Sequence, residues 1–486
     1  MKKKLIAGCL AAVLVAGLVA GCGNGEKAKS VKLDPDNPVS LTVWHYYNGA
    51  RQAAFDELVE EFNASEGKDK GIYVEAYSKG SISDLEQAIS DALEGKVGAE
   101  ELPDMFSSYA DTAYSVQEQD RLADLTQYFS EEELEAYVDS YIQEGYFNGD
   151  GALYLLPIAK STEIMMVNKT DWDSFAEATG STVDELATTE GVTKVAERYY
   201  EWTDSLTPDI EGDGKAFYGR DSMANYMIIG MKQMGTEIFD VKDGEVTFQL
   251  DKDKLHRLWD NYYVPYVKGY FAAYGKFRSD DVKTGDILAY TGSTSSVMYF
   301  PDALESDEGS YAIDYLVLPA PVMEGGSNCK VQQGAGMAVS KSDERHEYAS
   351  CVFLKWMTQK RENLKFVGDS GYLPVLKEAN SREALEEALA EENIEMNQKA
   401  YDCLTCVMDD FENTEFYTTK NFENGYQTRQ VLEYSMSDRA AADKAAIDEA
   451  VKNGTDRKEA EEEYVSDASF ESWYEELQGA LAGAAE

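Results

Sequence analysis

At 486 residues the chain has the length for two or three domain-sized units around a large buried core. Hydrophobic residues make up 43% of it, with 32 Tyr, 18 Phe and 6 Trp, a composition that excludes a disordered polymer. The 91 acidic against 44 basic residues leave a net charge of −47, which excludes a nucleic-acid binder or a protein held to anionic lipid by charge, and favours a neutral or cationic ligand.

Met1-Lys2-Lys3-Lys4 is a basic n-region, and Leu5 to Ala20 is an apolar run with small residues mixed in. That is the build of a secretory signal peptide, and the run is shorter than the ~20 residues of a comfortable membrane span. It ends in Leu18-Val19-Ala20-Gly21-Cys22, which resembles the bacterial lipobox. The resemblance implies a signal peptide over 1–21, lipidation of Cys22, a tether over 22–38, and a protein anchored to the outer face of the cell membrane without crossing it. Cys9 leaves with the signal; Cys329, Cys351, Cys403 and Cys406 remain, with three possible pairings or none. Cys403 and Cys406 form a CxxC inside a predicted helix, about 397–411. That context suits neither a redox site nor zinc, and inert thiols are expected.

The tether closes on Asp34-Pro35 and Asn37-Pro38. Leu41 to Trp44 then alternates as a strand, and Phe55, Leu58, Val59 and Phe62 mark one face of a helix. Ile72, Val74 and Ala76 predict a second strand. Ser83 reads as the cap of a helix whose apolar face is Leu85, Ala88, Ile89 and Ala92. Leu102 to Phe106 predicts a third strand, with a helix near 111–120. This β-α-β-α-β order implies a parallel sheet covered by helices. Tyr154 to Pro157 and Ile164 to Val167 read as buried strands, and helices are expected near 183–206, 223–234 and 252–268. Tyr315 to Leu318 and Ala335 to Val339 are strands again. Beyond about 343 the chain is almost continuously helical, and its last fifty residues are charged helices with a thin apolar face.

Several short runs follow one another in a telling order: Val43-Trp44-His45-Tyr46-Tyr47-Asn48-Gly49, Tyr77-Ser78-Lys79-Gly80-Ser81, Leu102-Pro103-Asp104, and Leu156-Pro157 through Ser161-Thr162 to Val167-Asn168-Lys169. Gly292-Ser293, Gly334-Ala335-Gly336, Phe353-Leu354-Lys355-Trp356 and Gly371-Tyr372-Leu373-Pro374-Val375 follow. Over about 40–436 the chain thereby resembles the family 1 extracellular solute-binding proteins of ABC importers. The resemblance implies an α/β, two-lobed, periplasmic-binding-protein-like fold, each lobe a mixed sheet flanked by helices, with a helical C-terminal part. Crossings near 158–163, 331–338 and 370–375 would place 39–158 plus 335–370 in one lobe and 159–334 plus 371–486 in the other. It also implies a monomer without cofactor or metal that captures a small solute and hands it to the transmembrane subunits of an ABC permease by hinge closure.

In open α/β sheets ligands sit beyond the carboxyl ends of the strands. A sugar offers an apolar face for aromatic planes and a rim of hydroxyls for amides, hydroxyls and carboxylates. Trp44, Tyr46, Tyr47, Asn48, Ser78, Gly80 and Ser81 fall at such strand ends, and with the resemblance so do Tyr109, Asp111, Ser161, Ser293, Gly334 and Gly336. Trp44 is as well suited to core packing. Tyr46 and Tyr47 alternate, and Tyr47 is expected to face the cleft. The resemblance adds Asn225, Tyr226, Tyr372 and Arg429, the last aligned with an arginine that meets an anionic group in glycerol-phosphate binders. Against that subfamily, Ile82 replaces an aromatic and Ala110 a carboxylate, so a neutral mono- or oligosaccharide fits better than a phosphate ester. A secreted glycosidase or a surface adhesin is the rival from another class. The chain has no GxSxG, HExxH or Walker-type loop, and its three histidines are scattered.

Overall fold

The computed structural model describes residues 28–147, 149–210, 212–242, 244–306 and 309–485. The signal peptide with Cys9, and the lipidation site Cys22, lie outside them. Among the described residues no helix is long and apolar enough to cross a membrane, and no group of His, Cys, Asp or Glu is arranged to hold a metal.

The first sheet contains Val39–His45, Ile72–Ser78 and Met105–Ser108, which run parallel to one another. Gly336–Val339 pairs antiparallel with Met105–Ser108, and Leu156–Pro157 pairs antiparallel with Gly336–Val339, so the sheet is mixed and its late strands come from distant sequence. The third strand starts later than its apolar run. Pro103 has no N–H to donate, and the Asp104 carboxylate instead accepts from the Thr42 backbone at 2.8 Å and hydroxyl at 3.1 Å. Leu41 and Val43 pack with Phe55, Leu58 and Phe62 of helix Gly49–Ala64 on one face of the sheet, while Trp44 and Phe106 pack with Leu85 and Ile89 of helix Ile82–Glu94 on the other. That second helix is capped by Ser81, not Ser83: the Ser81 hydroxyl accepts from Asp84 N at 3.1 Å.

The second sheet orders Tyr315–Pro319, Glu163–Asn168, Ala289–Ser293 and Tyr218–Arg220. Its central strand is apolar on both sides, because Ile164 and Met166 enter one core and Met165 and Val167 the other. Two predicted helices are interrupted. The segment near 183–206 is a 3-10 turn, Val183–Ala187, then a helix, Thr189–Ser205, capped by Thr188; that near 252–268 divides into Lys252–Asp260 and Tyr263–Val267.

The C-terminal helices are shared between the halves. Tyr372, Leu373, Leu385 and Leu404 pack in the core of the first sheet, whereas Phe422, Leu432, Met436, Phe470 and Trp473 pack in that of the second. Helix Gln398–Met408 carries the CxxC, and Cys329, Cys351, Cys403 and Cys406 are all free thiols. Burial raises each of them, Cys406 to about 11.

Three strands of chain run side by side between the halves. Lys160 and Leu373 exchange backbone hydrogen bonds of 3.2 and 2.6 Å, and Ser161 and Gln333 exchange bonds of 2.8 and 3.0 Å. Gly334 sits at φ 98°, where a Cβ would lie 2.9 Å from the Ala159 carbonyl oxygen, so this close approach requires glycine.

Candidate functional site

A cleft of about 240 Å³ opens where these crossings meet the two halves. Its first wall comes from two helix starts. Ser83 and Glu86 lie one turn apart on Ile82–Glu94, and Tyr109 and Asp111 stand at the start of helix Ala110–Gln117. Its second wall carries Asn225 of helix Met223–Gln233, Arg429 and Tyr426 of helix Gly425–Lys452, and the loop after strand Glu415–Tyr417. That strand pairs parallel with Cys329–Val331, which brings Tyr417 to Phe422 beside Gln332 and Gln333.

The second wall is built by hydrogen bonds between distant residues. The Glu433 carboxylate caps helix Met223–Gln233, accepting from Ala224 N at 2.9 Å and the Ser222 hydroxyl at 3.1 Å, which docks the two helices together. The Asn225 amide donates to Glu163 at 2.9 Å and to Gln333 at 3.0 Å, and its oxygen accepts from the Arg429 guanidinium. Glu163 in turn pairs with buried Arg220 at 2.9 Å. Glu144 also lines the cleft: buried Lys160 donates to it and, at 2.9 Å, to the Gly334 carbonyl, and Gln332 donates to the same Glu144 at 3.0 Å.

The first wall is electrostatically strained. Burial and the nearby Asp111 charge push Glu86 up to about 7, opposed by a hydrogen bond from the Thr112 hydroxyl at 3.2 Å. Burial also raises Asp111, against the pull of Arg429 and of the Thr112 N–H, which donates to it at 2.8 Å.

Of the residues expected at the site, Tyr109, Asp111, Asn225 and Arg429 line this cleft together. Tyr46 and Tyr372 lie off it, their hydroxyls 3.2 Å apart, with Arg51 donating to Tyr372 at 3.4 Å. Tyr47 is 1% exposed among Phe55, Phe366 and Tyr372, so it is Tyr46 of the pair that is less enclosed. Trp44 is buried, and the Lys79 ammonium covers its ring at 3.8 Å. Tyr226 is buried beside Arg220 and donates to the Leu258 carbonyl at 2.8 Å.

The remaining residues hold local turns. Asn48 donates to the Gly80 carbonyl at 3.2 Å, and Ser78 to the Tyr47 carbonyl at 2.7 Å. Ser81 caps its helix, Ser293 accepts from Ser295 N at 3.3 Å, and Ser161 and Gly334 belong to the crossings. Gly336 packs against Leu155 and Leu156. Glu86, Gln332, Gln333 and the loop from Tyr417 to Phe422 line the cleft without having been expected there. A polar residue one turn beyond a helix cap was the available signal for Glu86; the loop has no periodicity to reveal it.

Two mixed sheets, each with its own core and joined by several crossings around a cleft, define the two-lobed fold of periplasmic binding proteins. Solved structures share it at low identity. UgpB from Mycobacterium tuberculosis in complex with glycerophosphocholine is 18% identical, with a TM-score of 0.63 over 92% of this chain and 99% of that one. The cyclic alpha-maltosyl-1,6-maltose binding protein from Arthrobacter globiformis is 17% identical, with a TM-score of 0.62 over 92% and 99%. The maltose/maltodextrin-binding domain MalE from Bdellovibrio bacteriovorus bound to maltotriose is 14% identical, with a TM-score of 0.60 over 91% and 100%. A search of curated protein sequences finds none that matches. The family model described as bacterial extracellular solute-binding protein matches residues 57–393, and the chain belongs to that family. An extracellular or periplasmic location follows from the family.

Proposed function

We propose that the chain is the solute receptor of an ABC-type importer: it captures a small polar solute, a carbohydrate in the first instance, and releases it chemically unchanged to the permease. The observation that carries this reading is the composition of the cleft. Tyr109, Tyr417, Phe422 and Tyr426 supply aromatic planes, while Asp111, Asn225, Gln333 and Arg429 supply planar hydrogen-bonding groups from both walls. Sugars and sugar-like solutes need that combination, and the solved relatives include binders of maltose oligomers. In this reading Tyr109, Asp111, Asn225 and Arg429 meet the solute, and the lobes close on it by bending the segments around Lys160, Gln333 and Leu373. The chain acts as a monomer, tethered at Cys22 by lipid, with no catalytic role.

A phosphate-bearing solute is the second reading, favoured by Arg429, whose one hydrogen bond among the described residues is to a neutral amide. A thermal-shift screen against sugars, amino sugars, sugar phosphates and polyols separates the two, because a ligand that binds only the folded state raises Tm. Sugars raising Tm support the first reading; phosphate esters alone raising it support the second; catalytic turnover of an oligosaccharide contradicts both. For the anchor, Cys22→Ala releases the protein or leaves its precursor uncleaved; a processed variant still bound to membrane contradicts lipidation there.

A further inference from the structure

The first wall of the cleft has more acceptors than the protein supplies donors for. Among the described residues Glu86 takes one hydrogen bond, from the Thr112 hydroxyl, and Asp111 takes backbone N–H donors alone, from Thr112 and from its own residue. Neither carboxylate lies in an ion pair with any described residue, although the chain forms such pairs over much of its surface. Gln332, which lines the same cleft and is 3% exposed, donates to the Ser140 carbonyl and to Glu144, and its Oε1 has no donor among the described residues. An unsatisfied buried acceptor and two carboxylates of like charge on one wall are each costly, and a cation that carries N–H donors relieves the second cost.

The charges around this wall do not already provide that cation. Lys160 is buried and committed to Glu144 and the Gly334 carbonyl. Arg429 is held by Asn225 on the opposite wall, where it eases Asp111 but is not among the charges that act on Glu86. Lys420 also belongs to that opposite wall. The net charge of −47 adds a long-range attraction for cations.

We propose that the solute bears a primary ammonium that docks between Glu86 and Asp111, with its hydroxyl-bearing ring toward Tyr109 and the second wall; an amino sugar has this chemistry. The inference rests on the carbohydrate reading above and narrows it. The ammonium offers three donors to a wall that lacks them, and its charge offsets the carboxylate repulsion. An N-acetylated or hydroxylated counterpart of the same shape lacks the charge.

The test is calorimetric titration of the wild-type chain with glucosamine and its β-1,4-linked oligomers, the matching N-acetylglucosamine series, and glucose and maltose oligomers, at pH 7.5. The expected result is at least tenfold tighter binding of the amine series than of its acetylated counterparts. In Glu86→Gln/Asp111→Asn, which keeps both side chains' size, that preference disappears while Tm stays within a few degrees of wild type. If a neutral series binds as tightly as the amines, or if the preference survives in the double variant, the ammonium site is overturned and sugar binding stands. If none of the sugars binds, the carbohydrate reading falls and this inference with it.

Discussion

The Arg429 guanidinium is hydrogen-bonded to the side-chain oxygen of Asn225, 204 positions earlier in the chain. Asn225 spends its two amide protons on Glu163, in the second sheet, and on Gln333, in a crossing between the lobes. A cleft arginine is thus tied through one amide to the segment about which the lobes would bend. Asn225→Leu keeps the volume and removes all three bonds. It should lower stability by about 1–3 kcal/mol, the scale of buried polar groups left unpaired, and weaken solute binding at least about tenfold. Denaturant unfolding and calorimetry measure both; wild-type affinity in this variant would detach the network from the site.

Tyr47 and Tyr109 separate packing from binding. Tyr47→Ala empties a fully buried aromatic site and should cost about 3–5 kcal/mol of stability. Tyr109→Ala should instead weaken binding by about 1–3 kcal/mol, the scale of a lost aromatic contact. Paired unfolding and titration of the two variants check the division, and an unchanged affinity for Tyr109→Ala would move the aromatic platform elsewhere.

Lys160 and Glu144 form a buried ion pair, their side chains 1% and 8% exposed. Lys160→Met alone strands a buried carboxylate and should destabilise by about 3–5 kcal/mol, whereas Lys160→Met with Glu144→Leu should recover a large part of that loss. Chemical denaturation of both variants tests it. Equal losses in the single and double variants would mean that Lys160 matters chiefly through its bond to the Gly334 carbonyl.

His45 is wholly buried; its Nδ1 accepts from Tyr47 N at 3.1 Å, and its Nε2 has no partner among the described residues. Burial lowers its pKa from 6.5 to about 4. The unfolded chain therefore takes up a proton first as pH falls, so this contribution to stability is present above about 6.5 and is lost between there and 4. The loss amounts to roughly 3 kcal/mol, read as a falling denaturation midpoint, and His45→Phe should flatten that slope. An unaltered slope in the variant would assign the acid sensitivity to carboxylates instead.

The sheets and first-lobe helices were readable because their apolar residues repeat at periods of two and 3.6, as in Leu41 to Trp44 and Phe55 to Phe62. Periodicity says little about which side of a short strand end faces a cleft. Tyr46 and Tyr47 differ by one position, and the aromatic ring of Phe366, from a helix more than 300 residues away, claims Tyr47 for the core. Asn225 and Arg429 were reachable from the order of motifs along the chain. The loop from Tyr417 to Phe422 was not, because its place in the cleft depends on a three-residue strand pairing, and Glu86 was marked only as a polar residue one turn beyond a helix start that Ser81 sets.

A solute held between the walls that carry Tyr109 and Arg429 is the central proposal. Its most direct test is calorimetric titration of the wild-type chain and of Tyr109→Ala/Arg429→Ala with the best solute from the thermal-shift screen, with mass analysis of the solute recovered afterwards. One solute should bind per chain and be recovered intact, with binding reduced by at least about a hundredfold in the double variant, in line with two lost contacts of this class. Undiminished binding by the folded double variant, or a solute recovered chemically altered, would contradict it.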